Sequence, residues 1–201
     1  KGKINAKEGG VRVPFIITGP DIKPDQVSNV MVNALDFYPT ILSWTGTPKP
    51  KKQKLNGSDL SKLLRENPKS AIFVKDQKGK VRDSMIWHFP HGVAQQSTLR
   101  ANGWKLIYNY IPKKPRLELY HLYENYPNPS KRIDIEEANN LALEMPNKAE
   151  GMRKELFLRL DAMNASYPYK NPHYKGDLAE KTKVCTVVKN GKDGNQVWAQ
   201  F

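Results

Sequence analysis

The chain has 201 residues, 38% of them hydrophobic and 9% aromatic, which is typical of one folded domain or of one domain and part of another. The formal net charge of +13 attracts polyanions, but the basic residues are spread along the chain and form no helix-turn-helix or RNP motif, so we predict no nucleic-acid partner. No apolar run approaches the ~18 residues of a membrane span, and the single cysteine, Cys185, excludes an internal disulfide.

The beginning of the chain is predicted to contain two strands and one short helix. The run VPFIITGP at residues 13–20 is apolar on both faces and ends in Gly-Pro, which is typical of a buried, central strand of a parallel sheet. Residues 28–35 predict a second extended segment. A short helix follows, which Asp36 can cap and Gly46 can end, with Pro39 tolerated in its first turn.

After a boundary near residues 66–80 the pattern changes to closely spaced strands. SMIWHF, QSTLRANG, WKLIYNY and LELYHLYE are separated by short links with Pro, Asn or Gly, as in an antiparallel meander. Residues 147–163 predict an amphipathic helix, because apolar residues recur at intervals of three and four. These positions are Ala149, Met152, Leu156, Leu160 and Met163. The tail beyond residue 170 is predicted to end in a hairpin, with turns at Asn190-Gly191 or Asp193-Gly194.

Two histidines in WHFPHG are the first candidate ligand contacts. His88 and His91 are predicted to lie at the end of a strand and in its turn, where they could hydrogen-bond an anionic substrate. They could equally be ordinary polar residues of an aromatic-rich strand end. No Asp, Glu or Cys at a suitable spacing joins them, so we predict no metal site here.

Lysines before a double glycine form the second candidate site. Lys3 and Lys7 precede Glu8, and the glycines that follow permit a positive φ and close approach of the backbone. Glu8 and Arg12 are four residues apart and could pair across the bend. A lysine on a loop before a central strand suits an oxyanion such as sulfate or phosphate, although most lysines near glycines are simply solvated.

Six stretches match, in the same order, segments of a known family. KINAKEGGVRVP matches K-x-x-x-x-E-G-G-x-R-x-P, DFYPTILSWTG matches D-x-x-P-T, and LNGSDLSKLL matches D-G-x-S-L-x-P-L-L. IWHFPHG matches W-H-F-P-H, and STLRANGWKLIYNY matches A-I-R-x-G-x-W-K-L-I. LELYHLYE, with the later IDIEEANNLA, matches E-L-Y-D-L-x-x-D-P-x-E-x-x-N-L-A with an insertion. Together they cover residues 3 to about 163, and they resemble the type I sulfatases, the formylglycine-dependent, arylsulfatase-like group of the alkaline phosphatase superfamily.

The resemblance implies roles for individual residues. In the family, the lysine five positions before Glu-Gly-Gly contacts the substrate sulfate, which implies this catalytic role for Lys3, with Lys7 out of register. The residues that would then shape the loop are Glu8, Gly9, Gly10 and Arg12. Side chains of the family's H-F-P-H segment often lie near the substrate pocket, which makes His88 and His91 candidate substrate contacts.

The resemblance also implies parts that this chain lacks. The family's C-x-P/A-x-R motif, whose Cys or Ser becomes the formylglycine nucleophile, has no counterpart, because Cys185 lies in a different context, CTVVK. The family's Ca²⁺ ligands come from an early Asp-Asp pair and an Asp-Asn upstream of the lysine. We therefore expect the C-terminal portion of a sulfatase, with an α/β, alkaline phosphatase-like remnant in residues 1–70. Residues 71–201 would form an α+β subdomain with a small antiparallel sheet and one long helix.

The complete protein is expected to hydrolyse sulfate esters of a sulfated carbohydrate, with Ca²⁺ and formylglycine held by the N-terminal part of the same protein. This fragment alone is expected to be inactive. A phosphodiesterase or phosphonate hydrolase of the same superfamily is one alternative, and a non-catalytic basic α+β module that binds polyanionic glycans or nucleic acid is another. The resemblance also implies that the complete protein is exported, as a periplasmic, secreted or lysosomal protein.

Overall fold

The structure is a computed structural model, and it describes residues 4–66, 74–76, 78–92, 94–111, 114–124, 126, 131–170, 186–189 and 196–199. The helices in these ranges are α1 (Glu8–Val11), α2 (Phe37–Trp44), α3 (Ser61–Arg65) and α4 (Pro146–Ala162), with a 3-10 turn at Ala34–Asp36. The strands are β1 (Ser84–Phe89), β2 (Gln96–Ala101), β3 (Trp104–Asn109), β4 (Leu117–His121), β5 (Tyr123–Glu124), β6 (Lys131–Arg132), β7 (Tyr167–Lys170), β8 (Thr186–Lys189) and β9 (Gln196–Ala199).

Strands β1 to β4 form an antiparallel sheet in chain order, which confirms the predicted meander. Their registers align Ile86, Leu99, Leu106 and Leu119 in one row across the sheet. Successive side chains of a strand point to opposite faces, so Lys105, next to Leu106, lies on the other face. We call the face with the leucine row the helix face and the opposite one the polar face.

Helix α4 covers the helix face. Its buried residues Ala149, Leu156 and Leu160 pack in one core with the three leucines of the row, and Met152 packs against that core. Each buried leucine contributes about 1.5–3 kcal/mol relative to an exposed one. Met163 follows the end of α4 and is 59% exposed, so the last of the five predicted core positions is wrong. The predicted α+β subdomain with one long helix is confirmed.

The polar face is lined with polar side chains, of which all but Thr98 have a hydrogen-bond partner in the described structure. These are Gln96, Thr98, Arg100, Lys105, Asn109 and Glu118. Residues 6–8 lie over this face, where they contact Gln96, Arg100 and Lys105. Buried polar groups cost free energy unless they are hydrogen-bonded. This layer of the fold therefore depends on specific polar partners, in contrast to the apolar packing under α4.

The strands predicted at residues 13–20 and 28–35 are absent, which corrects the prediction. Within residues 4–66 the structure has only helical elements, and Val13 and Ile16 are 72% and 86% exposed. A strand exists through hydrogen bonds to a neighbour, and the described ranges place no partner strand beside either run. The short helix is confirmed as α2, which ends before Gly46 with its φ of +65°.

Asp36 joins three stretches of chain at the start of α2. Its Oδ1 accepts hydrogen bonds from Arg82 Nη2 at 2.5 Å and from the Ser58 backbone N at 2.8 Å. Its Oδ2 accepts from Arg82 Nη1 at 2.7 Å and from the Asn33 backbone N at 2.8 Å. The prediction that the Asp36 side chain caps α2 is therefore wrong. The side chain accepts no capping hydrogen bond from α2 and instead takes part in the capping box of the preceding 3-10 turn.

Strands β5 and β6 pair as a two-stranded antiparallel sheet, and β7, β8 and β9 form a third sheet, whose antiparallel pair β8–β9 confirms a hairpin in the tail. The predicted turns at residues 190–191 and 193–194, as well as Cys185, lie outside the described residues. None of the helices in the described ranges combines the length and the apolar character needed to cross a bilayer.

Candidate functional site

The segment of residues 4–12, called here the anchored segment, is the part of the candidate site that the structure describes. Its EGGV sequence forms the single turn α1, in which the Gly10 and Val11 amides donate to the Lys7 carbonyl at 2.7 Å and 3.1 Å. Gly9 and Gly10 adopt no positive φ, so the predicted glycine bend is instead a helical turn.

Glu8 is the residue through which this turn enters the polar face. Its side chain is buried, and Oε1 accepts a hydrogen bond from Lys105 Nζ at 3.0 Å. Oε2 accepts from Arg100 Nη1 at 3.2 Å. The Glu8 backbone N donates to Oε2 of Glu137 at 2.8 Å. Side chain and backbone of the same residue are thus both fixed.

Lys105 is the centre of this arrangement. Its side chain is 0% exposed, and its Nζ lies 3.0 Å from Glu8 Oε1 and 2.9 Å from Glu137 Oε1. A buried ammonium is tolerated only when it is paired and hydrogen-bonded. The two carboxylates are 129 residues apart in the sequence, so Lys105 holds the anchored segment and the Glu137 loop together on one sheet face.

Lys7 belongs to the same layer. Its Nζ donates to the Tyr120 hydroxyl at 2.8 Å and lies 3.3 Å from Glu118 Oε2, and the Tyr120 hydroxyl donates to that carboxylate. Burial alone would raise the pKa of Glu118, but the hydrogen bonds from Tyr120 and Asn109 and the charge of Lys7 lower it below its ordinary value. Burial and the adjacent carboxylate raise the pKa of Tyr120. Lys7 is therefore committed to contacts within the protein.

Arg12 does not pair with Glu8, which corrects the prediction of a contact across the bend. Its Nη1 donates to the Tyr123 hydroxyl at 2.6 Å, and its guanidinium lies 5.9 Å from the centre of that ring. The Arg100 guanidinium lies 5.4 Å from the same ring centre. Arg12 thus fixes the far end of the anchored segment through Tyr123 and not through Glu8. Its role in shaping the loop stays a prediction.

His88 lies on the helix face, away from the anchored segment. Its Nε2 is 2.7 Å from the Ser166 carbonyl, which can only accept, so Nε2 carries a proton. A neutral ring then accepts at Nδ1 from the Ser97 hydroxyl at 2.6 Å, and that hydroxyl accepts from the Tyr110 hydroxyl at 2.8 Å. Burial lowers the pKa of His88, which favours this neutral form.

His91 is exposed in the turn after β1, where its ring packs 4.4 Å from that of Phe89. His88 and His91 are therefore not brought together in one pocket by the described structure. Their role as substrate contacts stays a prediction. Lys3 lies outside the described residues, and the next residue, Ile4, has a φ of +82°, which a β-branched residue rarely adopts.

Residues 3–155 match the family model described as N-sulphoglucosamine sulphohydrolase, C-terminal. The chain belongs to the sulfatase family. A sulfatase of Formosa agariphila is 32% identical over 154 residues, which are 70% of this chain and 24% of the relative. Arylsulfatase K of Homo sapiens is 38% identical over 109 residues, which are 52% of this chain and 19% of the relative. The chain is also similar to a solved structure of a protein in complex with its substrate D-glucosamine-2-N,6-O-disulfate. The matched part is 64% of this chain and 23% of the other, with a TM-score of 0.39 and 24% sequence identity.

The sulfatase chain spans about a quarter of the length of the curated relatives it matches. The matched share is 24% of the Formosa agariphila sulfatase, 27% of arylsulfatase K of Xenopus laevis and 26% of that of Canis lupus familiaris. Its resemblance to a C-terminal portion of a sulfatase is confirmed by the family match. The relatives are sulfatases, so the chain is assigned to a family of hydrolases.

The sequence interpretation missed the partners of Glu8, although they lie inside the matched stretches. Arg100 and Lys105 are both in STLRANGWKLIYNY, and Glu137 is in the last matched stretch. A lysine inside the run WKLIY was a usable signal, because a charge within an apolar strand needs a buried counter-charge. The sequence has 20 acidic residues and could not indicate which of them Lys105 would meet.

Proposed function

We propose that the full-length protein to which this chain belongs hydrolyses a sulfate ester of a carbohydrate. The observation that carries the proposal is the family match over residues 3–155, which includes Lys3 and both histidines. The name of the matched family refers to a sulfated amino sugar, which supports a carbohydrate substrate. The net charge of +13 is also suited to an anionic substrate.

Lys3 is proposed to bind the sulfate group. An ammonium is a compact positive charge, and placed against sulfate oxygens it would stabilise the negative charge that develops as the ester bond breaks. The anchored segment supports this role, because residues 6–8 are held at the backbone and at two side chains. Glu8 and Arg12 are proposed to shape the loop through Lys105 and Tyr123, with Gly9 and Gly10 forming the turn between them.

Formylglycine and Ca²⁺ are proposed as the nucleophile and the charge-stabilising cation of the complete enzyme. The described residues do not fit a cation site, since no three His, Cys, Asp or Glu side chains among them lie close enough to hold a metal ion. The contribution derived for this chain is therefore limited to binding and orientation. We also propose export of the complete protein, in line with the resemblance.

His91 is favoured over His88 as the substrate contact. His91 is exposed, whereas both ring nitrogens of His88 already bond to Ser97 and Ser166. Residues 1–70 are proposed to belong to the large sulfatase domain and residues 71–201 to the small one. The exposed apolar run at residues 13–20 supports this division, because a sheet in the rest of the protein could supply its missing strand partners.

The test is a Lys3→Ala substitution in the full-length protein, with Lys23→Ala as the matched control, because Lys23 is an exposed lysine of the same part of the chain. Loss of one positioned donor to a transition-state oxyanion lowers turnover by about 100-fold or more. We expect that loss in kcat/KM for an aryl sulfate with Lys3→Ala and no loss with Lys23→Ala. Unchanged kcat/KM for Lys3→Ala would refute the assignment, and a preference for aryl phosphate esters would favour the phosphodiesterase alternative.

A further inference from the structure

We propose that Lys105 is a positioning residue for the sulfate-binding lysine, and that it acts through the buried carboxylate of Glu8. The proposal rests on the proposed function, in which Lys3 binds sulfate. Lys105 is 97 residues from Glu8 in the chain and its side chain is fully buried, so the proposed effect on Lys3 is transmitted through the anchored segment and does not require contact of Lys105 with substrate.

The contacts of the polar face hold three consecutive residues of the anchored segment. The Ala6 amide donates to Gln96 Oε1 at 3.0 Å, and the Glu8 amide donates to Glu137 Oε2 at 2.8 Å. Between them, the Lys7 side chain is fixed by Tyr120. Lys3 precedes the first of these fixed residues by three positions in the sequence, so the contacts on this face fix the described part of the chain that adjoins it.

Ile4, adjacent to Lys3 in sequence, supports the same conclusion. Its φ of +82° is unfavourable for a β-branched residue, and its side chain is 57% exposed, so local packing does not account for the conformation. Strained backbone persists where the surrounding contacts over-determine it. The described hydrogen bonds that follow Ile4 in the chain are those of Asn5 Oδ1 with the Lys7 amide at 3.0 Å, of the Ala6 amide with Gln96 and of the Glu8 amide with Glu137.

The chemistry of the cluster suits positioning more than general stability. The cluster contains three cations and three carboxylates, so its formal charges cancel. The cations are Lys7, Arg100 and Lys105, and the carboxylates are Glu8, Glu118 and Glu137. Replacing a buried ion pair by apolar side chains of similar volume is often neutral or stabilising. Apolar packing tolerates small displacements, whereas directional hydrogen bonds to both oxygens of Glu8 fix its position. The helix face of the same sheet shows that this fold also packs apolar side chains.

The first experiment measures anchoring without activity. In the full-length protein, hydrogen exchange at the Ala6 and Glu8 amides should be slow, because both donate to buried acceptors. In Lys105→Met we expect these amides to exchange at least ten-fold faster, while the Leu106 amide within the sheet keeps its protection. Equal exchange in wild type and Lys105→Met would overturn the proposal.

The second experiment is a double-mutant cycle of Lys105→Met with Lys3→Ala, read as kcat/KM for an aryl sulfate. A displacement of about 1 Å at a reacting group costs roughly 100-fold in rate, so Lys105→Met alone should lose about that factor. In the Lys3→Ala background the same change should lose less than three-fold, because the residue it positions is already gone. Lys105→Arg, which restores a buried cation, should recover part of the activity.

Arg82→Met is the matched control, because Arg82, whose side chain is only 11% exposed, is also a cation paired with a buried carboxylate, Asp36. In the described structure its side-chain hydrogen bonds go to Met31, Asp36 and Ser58, which all lie outside the anchored segment. Arg82→Met should keep kcat/KM within three-fold of wild type. If Lys105→Met does not fold, Glu137→Gln, which preserves the side-chain shape, replaces it in the cycle.

The outcomes separate the two proposals. Additive losses in the cycle, or an equal loss of kcat/KM in Arg82→Met, would overturn the positioning role and leave the role of Lys3 intact. If Lys3→Ala alone leaves kcat/KM unchanged, the sulfate-binding assignment fails, and the positioning role fails with it. Non-additive losses together with faster exchange at Ala6 and Glu8 support both.

Discussion

Replacing Asp36 by alanine removes the acceptor that joins the start of α2 to two other parts of the chain. The carboxylate is 0% exposed and accepts two hydrogen bonds from Arg82 and one each from the Asn33 and Ser58 amides. The substitution leaves the Arg82 guanidinium, whose side chain is only 11% exposed, without its counter-charge. The two backbone amides lose their acceptor at the same time.

The expected cost follows from these contacts. Removing one partner of a buried ion pair costs about 3–5 kcal/mol, and each buried donor left without an acceptor adds about 1–3 kcal/mol unless water reaches it. Because Arg82 and Asn33 are only partly buried, we expect the lower value of about 3 kcal/mol for the ion pair and solvation of the Asn33 amide by water. The buried Ser58 amide adds about 1 kcal/mol, which gives a loss of about 4 kcal/mol for Asp36→Ala. Asp76→Ala is the control, since the exposed Asp76 accepts two backbone hydrogen bonds and should cost below about 1 kcal/mol.

The assay is urea unfolding of the full-length protein with each variant, together with the Asp36→Ala/Arg82→Met double variant. The double variant should lose clearly less than the sum of the two single losses, because neither remaining group is a buried, unpaired charge. A loss below 1 kcal/mol for Asp36→Ala, or strictly additive losses, would refute the reasoning that the pair is buried and coupled.

Two further predictions concern the helix face. Leu156→Ala should destabilise the protein by about 2–5 kcal/mol because the side chain is fully buried. Leu158 is 71% exposed on the same helix, so Leu158→Ala should change stability by about 0.5 kcal/mol or less. Equal losses of stability in thermal unfolding would contradict the packing of α4. Burial lowers the pKa of His88 below its ordinary 6.5, so its contribution to stability is complete above about pH 6.5 and is lost as the pH falls through the folded-state pKa. The free energy of unfolding should therefore fall more steeply below pH 6.5 in wild type than in His88→Gln, and parallel pH profiles would show that His88 does not titrate in this way.

Local patterns predicted the elements whose stability depends on nearby residues. The meander of β1 to β4 follows from short alternating segments joined by turn residues, and α4 follows from apolar spacing of three and four. The run at residues 13–20 has an equally clear strand pattern but no strand in the structure. Its hydrogen-bond partners lie elsewhere in space, so the pattern alone could not decide whether a ladder would form.

The sequence by itself determined the family resemblance, the meander of β1 to β4 and the helix α4. It also predicts Lys3, and not Lys7, as the sulfate contact. Only the tertiary structure decided which charges meet. Glu8 lies four residues from Arg12, yet it pairs with Lys105, 97 residues away, while Arg12 contacts Tyr123. Likewise, His88 lies on the face opposite the anchored segment because side-chain direction alternates along β1. The physical reason is that a buried charge pairs with the partner that the fold brings within hydrogen-bonding distance, and proximity in sequence does not determine that partner.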